Sequence, residues 1–342
     1  VLFTSYKRIF DTARTAAFKK DLMKNASTLL IITSTSILML TSCVSKNLRA
    51  VNDPNRTGLS NVTVIAHRGA SAYAPENTLA SFDKAQALGA LACEADIQLS
   101  KDGQLVIFHD DTLDKKTKLK GPVNSHSWAE LSTIDLAPWF ASEHSDVKTA
   151  SVVPPEKVRP ASVRKVTQHS SVRTKRGSQP STSLTRLILL NELFERYGMT
   201  FTYNLEIKAP DDKIPALALK SVNEYGLRDN VTFTSFIVDQ LIGLRKIDKT
   251  IPLCYLIDDK KTPDINAEIQ RAKTLGFNQV SVRAALVNAD HVSHAKALNL
   301  RIISWGSQND DDMKHAVQAG VDGLTTNWPD RLMAILQIPI SR

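Results

Sequence analysis

Two histidines, several carboxylates and a guanidinium crowd one stretch of this chain. They are His67-Arg68-Gly69, Pro75-Glu76-Asn77-Thr78, Glu94-Ala95-Asp96 and His109-Asp110, mostly at the ends of apolar, strand-like runs. Glu206-Ile207-Lys208 lies far downstream and again ends a β-type run. An acid, a base, metal ligands and an anion clamp are the groups needed to cut a phosphate ester.

Glu94 and Asp96 are two residues apart, so both project from one face of a strand. Ala92, Cys93, Ala95 and Ile97 around them make that strand read as buried. Buried carboxylates need a cation. With Glu206 they form an oxygen-rich cage suited to a hard divalent ion, Ca²⁺ or Mg²⁺. No Cys/His cluster has the spacing of a zinc site. His67 and His109 each follow a β run and precede a polar residue, which marks them as the acid and base, in either order. Arg68 and Lys208 are placed to hold phosphate oxygens. Trp305 is either a pocket wall or a core residue. His126, His144, His169, His291, His294 and His315 read as loop or helix-surface residues and receive no role.

Positioning these groups falls to alternating short strands and amphipathic helices. Strands are predicted over 62–66, 92–98, 105–108, 201–207, 231–235, 252–256, 279–282, 301–305 and 323–326. Helices are predicted over 78–88, 185–197, 214–225, 238–247, 265–275, 289–298 and 311–319, where apolar residues recur at helical spacing. Gly226, Gly276 and Gly320 fall where helices should stop. Strand–helix alternation of this length predicts an α/β fold, a parallel sheet closed into a TIM (β/α)8 barrel. Functional residues of such barrels sit at the C-terminal strand ends, where His67, Glu94, Asp96, Glu206, Lys208 and Trp305 all fall. One join differs: Ser100-Lys101-Asp102-Gly103 leaves no room for a helix and reads as a tight reversal. That reversal would place His109 opposite Ala95, beside both acids.

The chain has 342 residues and a net charge of +8, but its charge is uneven. Residues 1–50 carry +6 and residues 145–186 carry +7, which leaves a remainder of about −5. The body is therefore mildly acidic, and the overall basicity does not indicate a nucleic-acid partner. Residues 28–40 form an apolar run too short to span a bilayer, preceded by Lys19, Lys20 and Lys24. The run ends in Leu40-Thr41-Ser42-Cys43, which resembles the lipobox of bacterial lipoproteins. That pattern implies lipidation at Cys43, a signal region over 1–42, a tether over 43–60 and a membrane-anchored protein in the bacterial cell envelope. The barrel is expected over 61–338. Residues 145–183 interrupt it with a Ser-, Pro- and Lys/Arg-rich stretch almost free of large apolar residues, expected to be a disordered basic insertion. Cys93 and Cys254 lie in apolar runs and read as buried filler.

These residues resemble the glycerophosphodiester phosphodiesterase family from about 62 to 336, apart from the insertion. His67-Arg68-Gly69 with Pro75-Glu76-Asn77-Thr78 is similar to its opening signature. The run from Glu94 to Gly103, with Phe108-His109-Asp110, is similar to its second. Leu205-Glu206-Ile207-Lys208, Thr234-Ser235-Phe236 and Gly320-Val321-Asp322-Gly323 follow in order. Several ordered motifs together are specific where one alone would be weak. The resemblance implies a distorted TIM barrel, metal at Glu94, Asp96 and Glu206, acid–base roles for His67 and His109, and phosphate contacts from Arg68 and Lys208. It implies hydrolysis of deacylated phospholipids to glycerol 3-phosphate and an alcohol, the glycerol 2-hydroxyl attacking first to give a cyclic phosphate that water then opens. Three places depart from the pattern. Ile188-Leu189-Leu190 stands for the usual Pro-Ser/Thr-Leu, Gly306-Ser307-Gln308 for Thr-Val-Asn, and Asn327 for Asp. Two further readings stay open: a catalytically silent envelope-binding lipoprotein on the same fold, and a phosphodiesterase acting on lysophospholipids.

Overall fold

The computed structural model describes residues 61–144 and 183–338. Cys43, the leader and tether expected over 1–60, and all but the last residue of the insertion expected over 145–183 lie outside the described residues.

Ten strands form one sheet, and eight of them close into a parallel ring. Around the ring run β1 (Thr63–Ala66), β2 (Ala92–Leu99), β5 (Thr202–Ile207), β6 (Val231–Ser235), β7 (Leu253–Leu256), β8 (Gln279–Arg283), β9 (Arg301–Trp305) and β10 (Gly323–Thr326), which pairs back onto β1. Helices follow the ring strands: α1 (Leu79–Ala87), α4 (Leu190–Tyr197), α5 (Ile214–Glu224), α6 (Val238–Ile247), α7 (Ile265–Thr274), α8 (Ala289–Ala297), α9 (Asp310–Ala319) and α10 (Pro329–Ile335). The alternation expected from the sequence is thus a closed (β/α)8 barrel.

Strand parity fixes what each side chain meets. Ile65, Ala92, Cys254, Leu256 and Ile303 form a small apolar cluster of their own. Their neighbours of opposite parity, such as Cys93, Ala95 and Ile97, pack in the large cluster that also holds Phe82 and Ala85 of α1. The first set fills the barrel interior and the second the layer between sheet and helices. Cys93 and Cys254 are both buried free thiols on opposite sides of the sheet.

The distortion lies between β2 and α4. Here β3 (Leu105–Ile107) pairs antiparallel with β2, and β4 (Ile188–Leu189) pairs antiparallel with β3. Gly103 makes the reversal with φ +80°, and the Ser100 N–H donates to the Gln104 carbonyl at 2.9 Å. Ile97 pairs with Ile107 on β3 and Ile207 on β5. Those two strands therefore occupy opposite edges of β2, and β3 continues the edge that β1 uses further back. The register, Ile97 with Ile107 and Gln98 with Val106, sets His109 across from Ala95 as expected. This return strand lies outside the barrel ring.

The sequence reads 185–197 as one helix, and the structure corrects that. Ile188 and Leu189 are extended on β3, and α4 starts at Leu190. Edge pairing with β3 outweighs local helix propensity, and the Glu192 carboxylate, which pairs with Arg186, accepts the Leu189 N–H at 2.9 Å to start the helix. Two short helices not expected from the sequence, α2 (Trp128–Leu131) and α3 (Ala137–Glu143), complete the excursion. Its apolar residues, among them Val106, Phe108, Leu113, Leu131 and Leu136, form a cluster separate from the barrel core.

Candidate active site

Three carboxylates converge at the mouth of the barrel. On β2, Glu94 and Asp96 share the inward parity of Ala92, and on β5 Glu206 is the register partner of Asp96. Exposure falls from 8% at Glu206 to 5% at Glu94 and zero at Asp96. One oxygen from each lies within 4.8 Å of the others. Glu94 Oε1 and Asp96 Oδ1 are buried with no hydrogen-bond partner. Orphaned buried anionic oxygens fit a divalent ion held by oxygen ligands. Electrostatics agree. Burial, then repulsion from Asp96 and Glu206, pushes the Glu94 carboxyl well above the usual range. Burial also raises Glu206, despite the nearby Lys208 ammonium. Burial pushes Asp96 the same way, but Arg68, His109, Lys208 and a hydrogen bond from Asn77 outweigh it and hold Asp96 below the usual range.

The loop after β1 explains its own sequence. Arg68 adopts φ +52° and Gly69 φ +79°. A Cβ at Gly69 would stand 2.5 Å from the Ser81 backbone, so only glycine fits there. The turn aims the Arg68 N–H at Glu94 Oε2, 3.0 Å away. It also presents the Arg68 carbonyl to the Ser81 hydroxyl at 2.7 Å. Asn77, also left-handed at φ +59°, donates from Nδ2 to Asp96 Oδ2 at 2.8 Å. Thr78 then caps α1.

The two imidazoles flank this cluster. His67 Nδ1–H donates to Asn327 Oδ1 at 2.6 Å, and Nε2 lies 3.9 Å from Glu94 Oε2. That bond leaves the proton on Nδ1 and a lone pair on Nε2. Burial and the adjacent Arg68 guanidinium lower its pKa to about 3. His109 Nδ1–H donates to Asp110 Oδ1 at 2.7 Å. Gln98, on the parity of Glu94 and Asp96, donates from Nε2 to the carbonyls of Phe108 and Asp110, both at 2.9 Å, and brackets His109 from either side. The structure thus brings together every residue that the sequence places in the site.

Arg68 is more engaged than its sequence suggests. Glu76 accepts from its Nη1 with both oxygens, at 3.0 and 2.9 Å, and its Nε lies 3.2 Å from Asp96. Among the described residues Nη2 carries no protein hydrogen bond. Lys208 donates to Glu206 Oε1 at 2.8 Å and sits 3.9 Å from Asp96. One cation escaped sequence reasoning. Lys116, nearly buried, bridges Glu76 at 2.7 Å and Asp110 at 2.8 Å. Its ammonium lies 4.9 Å from the Trp139 ring centre. It links the arms carrying Arg68 and His109 into one charge network. Trp305 is a pocket wall: with Phe236, Lys208, Arg283 and Asp258 it lines a cleft of about 500 Å³ that opens from Glu206.

Known proteins share this architecture. A family model described as the glycerophosphoryl diester phosphodiesterase family matches residues 67–331. A glycerophosphodiester phosphodiesterase of Bacillus subtilis is 27% identical, covering 86% of this chain and 92% of its own. One from Caldanaerobacter subterraneus is 26% identical, over 80% and 97%. Among solved structures, a phosphodiesterase of Oleispira antarctica, in complex with the product sn-glycerol-3-phosphate, is 22% identical with a TM-score of 0.62, over 80% and 96%. A glycerophosphodiester phosphodiesterase of Agrobacterium tumefaciens is also 22% identical, with a TM-score of 0.60, over 80% and 99%. The two structures share the barrel fold. Matched over most of its described length, with the motif residues gathered at one barrel mouth, the chain belongs to the glycerophosphoryl diester phosphodiesterase family.

Proposed function

We propose that this protein hydrolyses glycerophosphodiesters to glycerol 3-phosphate and an alcohol, using a divalent cation held by Glu94, Asp96 and Glu206. The observation that carries this reading is the convergence of three buried carboxylates, two with unpartnered oxygens, between two imidazoles. Bound there, Ca²⁺ or Mg²⁺ supplies positive charge against the phosphate oxygens. Arg68 Nη2 and Lys208 hold the same oxygens and orient the diester. His67, with its lone pair on Nε2, takes the proton of the glycerol 2-hydroxyl as it attacks phosphorus, and water then opens the resulting cyclic phosphate to give glycerol 3-phosphate. His109, oriented by Asp110 and Gln98, gives a proton to the departing alcohol oxygen. Burial around the carboxylates keeps bulk water from screening these charges. Lipid attachment at Cys43 would place the reaction at the cell envelope; labelling with a radioactive fatty acid, lost in Cys43→Ser, tests that part.

The test of the reaction is release of glycerol 3-phosphate from glycerophosphocholine in the presence of Ca²⁺ or Mg²⁺. Turnover should disappear after exhaustive chelation and in Glu94→Ala. Unchanged turnover in either case sinks the reading.

A further inference from the structure

The cleft beside Glu206 ends in a device that the reaction itself does not require. β8 ends at Arg283 and β9 at Trp305, and the two are register partners, so their side chains leave the sheet side by side. The Arg283 guanidinium lies 4.3 Å above the Trp305 ring. Phe236 meets that ring edge-on, with centroids 5.0 Å apart. Asp259 accepts from Arg283 Nε at 2.8 Å and fixes the guanidinium from behind. Gly306, at φ +71°, turns the chain beside the same side chain, 3.8 Å from Nη1 by the position a Cβ would take. Arg283 is thus held on three sides. Among the described residues its Nη1 and Nη2 donate to no protein acceptor, and the side chain stays 25% exposed at the cleft.

We propose that Arg283 is the specificity-determining residue of this cleft, donating to hydroxyl oxygens on the alcohol arm of the diester and disfavouring an acylated arm. The inference rests on the phosphodiesterase reading and deepens it. A guanidinium fixed by stacking and by one ion pair loses little freedom when its remaining donors are used. A site built to bond a hydroxyl discriminates strongly against an analogue that lacks it. Beside its apolar Ile237, Phe236 and Trp305, the cleft is lined by the charged groups Asp258, Lys260, Lys261 and Arg283. An acyl chain laid along it would desolvate those groups without replacing their hydration. The aromatic pair does not make a cage for a quaternary ammonium either. Trp305 already carries Arg283, and the Lys208 ammonium sits 5.8 Å from the Phe236 ring centre.

The test compares wild type, Arg283→Leu and Arg283→Lys on three diesters: glycerophosphoglycerol, which has glycerol on both arms, lysophosphatidylglycerol, and bis(p-nitrophenyl) phosphate, which has no hydroxyl arm. Wild type should prefer the deacylated over the acylated diester by more than tenfold. Arg283→Leu should raise KM for glycerophosphoglycerol about 10- to 100-fold with a smaller change in kcat. That loss should exceed the loss on bis(p-nitrophenyl) phosphate at least tenfold, with Arg283→Lys in between. Equal losses on all three diesters, or equal wild-type rates on the acylated and deacylated ones, overturn the proposal. Calorimetry separates this failure from failure of the reaction itself. Arg283→Leu should weaken binding of glycerophosphoglycerol to chelator-stripped protein about tenfold and leave sn-glycerol 3-phosphate, which lacks the alcohol arm, unaffected, whether or not any diester turns over. Equal weakening of both ligands overturns the role of Arg283.

Discussion

At the residue scale, Glu76, Lys116 and Asp110 support Arg68 and His109 without meeting substrate. Lys116→Met leaves two part-buried carboxylates without their shared cation. It should cost about 1–3 kcal/mol in denaturant unfolding, as when a charge-assisted hydrogen bond is lost. It should also lower kcat, since Asp110 would orient His109 less firmly; an unfolding midpoint equal to wild type contradicts this. The pH dependence has a definite sign. Burial opposes ionisation of Glu76 and Asp110, but Arg68 and Lys116 at the first and His109 and Lys116 at the second hold both pKa values below the ordinary range. Each therefore contributes stability that is present above the unfolded carboxylate pKa, about 4, and is lost as pH falls through the folded value. Thermal melts should show a steep loss of Tm below about pH 4, weaker in Lys116→Met. Glu94, Asp96 and Glu206 are legible in the sequence because acids inside apolar strands stand out. Lys116 is not, because Asp114-Lys115-Lys116-Thr117-Lys118 reads as a solvated charge run until the fold tucks one lysine under Trp139.

At the scale of elements, the β2–β3 hairpin carries His109 to the edge of β2 that β1 has left, which is how two imidazoles reach one cluster of carboxylates. The excursion has its own small core, so damage there should loosen His109 before it melts the barrel. Leu131→Ala, at a fully buried position in that cluster, should cost about 2–5 kcal/mol. Hydrogen exchange should quicken in 105–137 while β5 to β10 stay protected. Uniform acceleration across the barrel would show instead that the two cores unfold together. Strand–helix alternation and the reversal at Gly103 are readable from apolar periodicity and turn chemistry. The extended Ile188–Leu189 is not, because only the exposed edge of β3 makes a strand of residues with helical spacing. The helices Trp128–Leu131 and Ala137–Glu143 escape because runs of 4 and 7 residues are too short for an apolar period to repeat clearly.

At the scale of the whole molecule, the barrel spends stability to keep three acids together in a dry site. With no ion bound, the raised pKa values of Glu94 and Glu206 mean that their contribution is present at low pH and is lost as pH rises through those values. A bound cation reverses this by displacing protons from its ligands. Saturating Ca²⁺ or Mg²⁺ should therefore raise Tm more at pH 7 than at pH 5. The most direct measurement is the rate of glycerol 3-phosphate release from glycerophosphocholine by chelator-stripped protein, titrated with Ca²⁺ and with Mg²⁺, for wild type and Glu206→Gln. Wild type should be silent without metal and reach full turnover as one ion binds, while Glu206→Gln should need far more metal or stay silent. Turnover by wild type that is independent of either ion, or a Glu206→Gln titration that overlays it, would contradict a reaction built on the Glu94–Asp96–Glu206 cage.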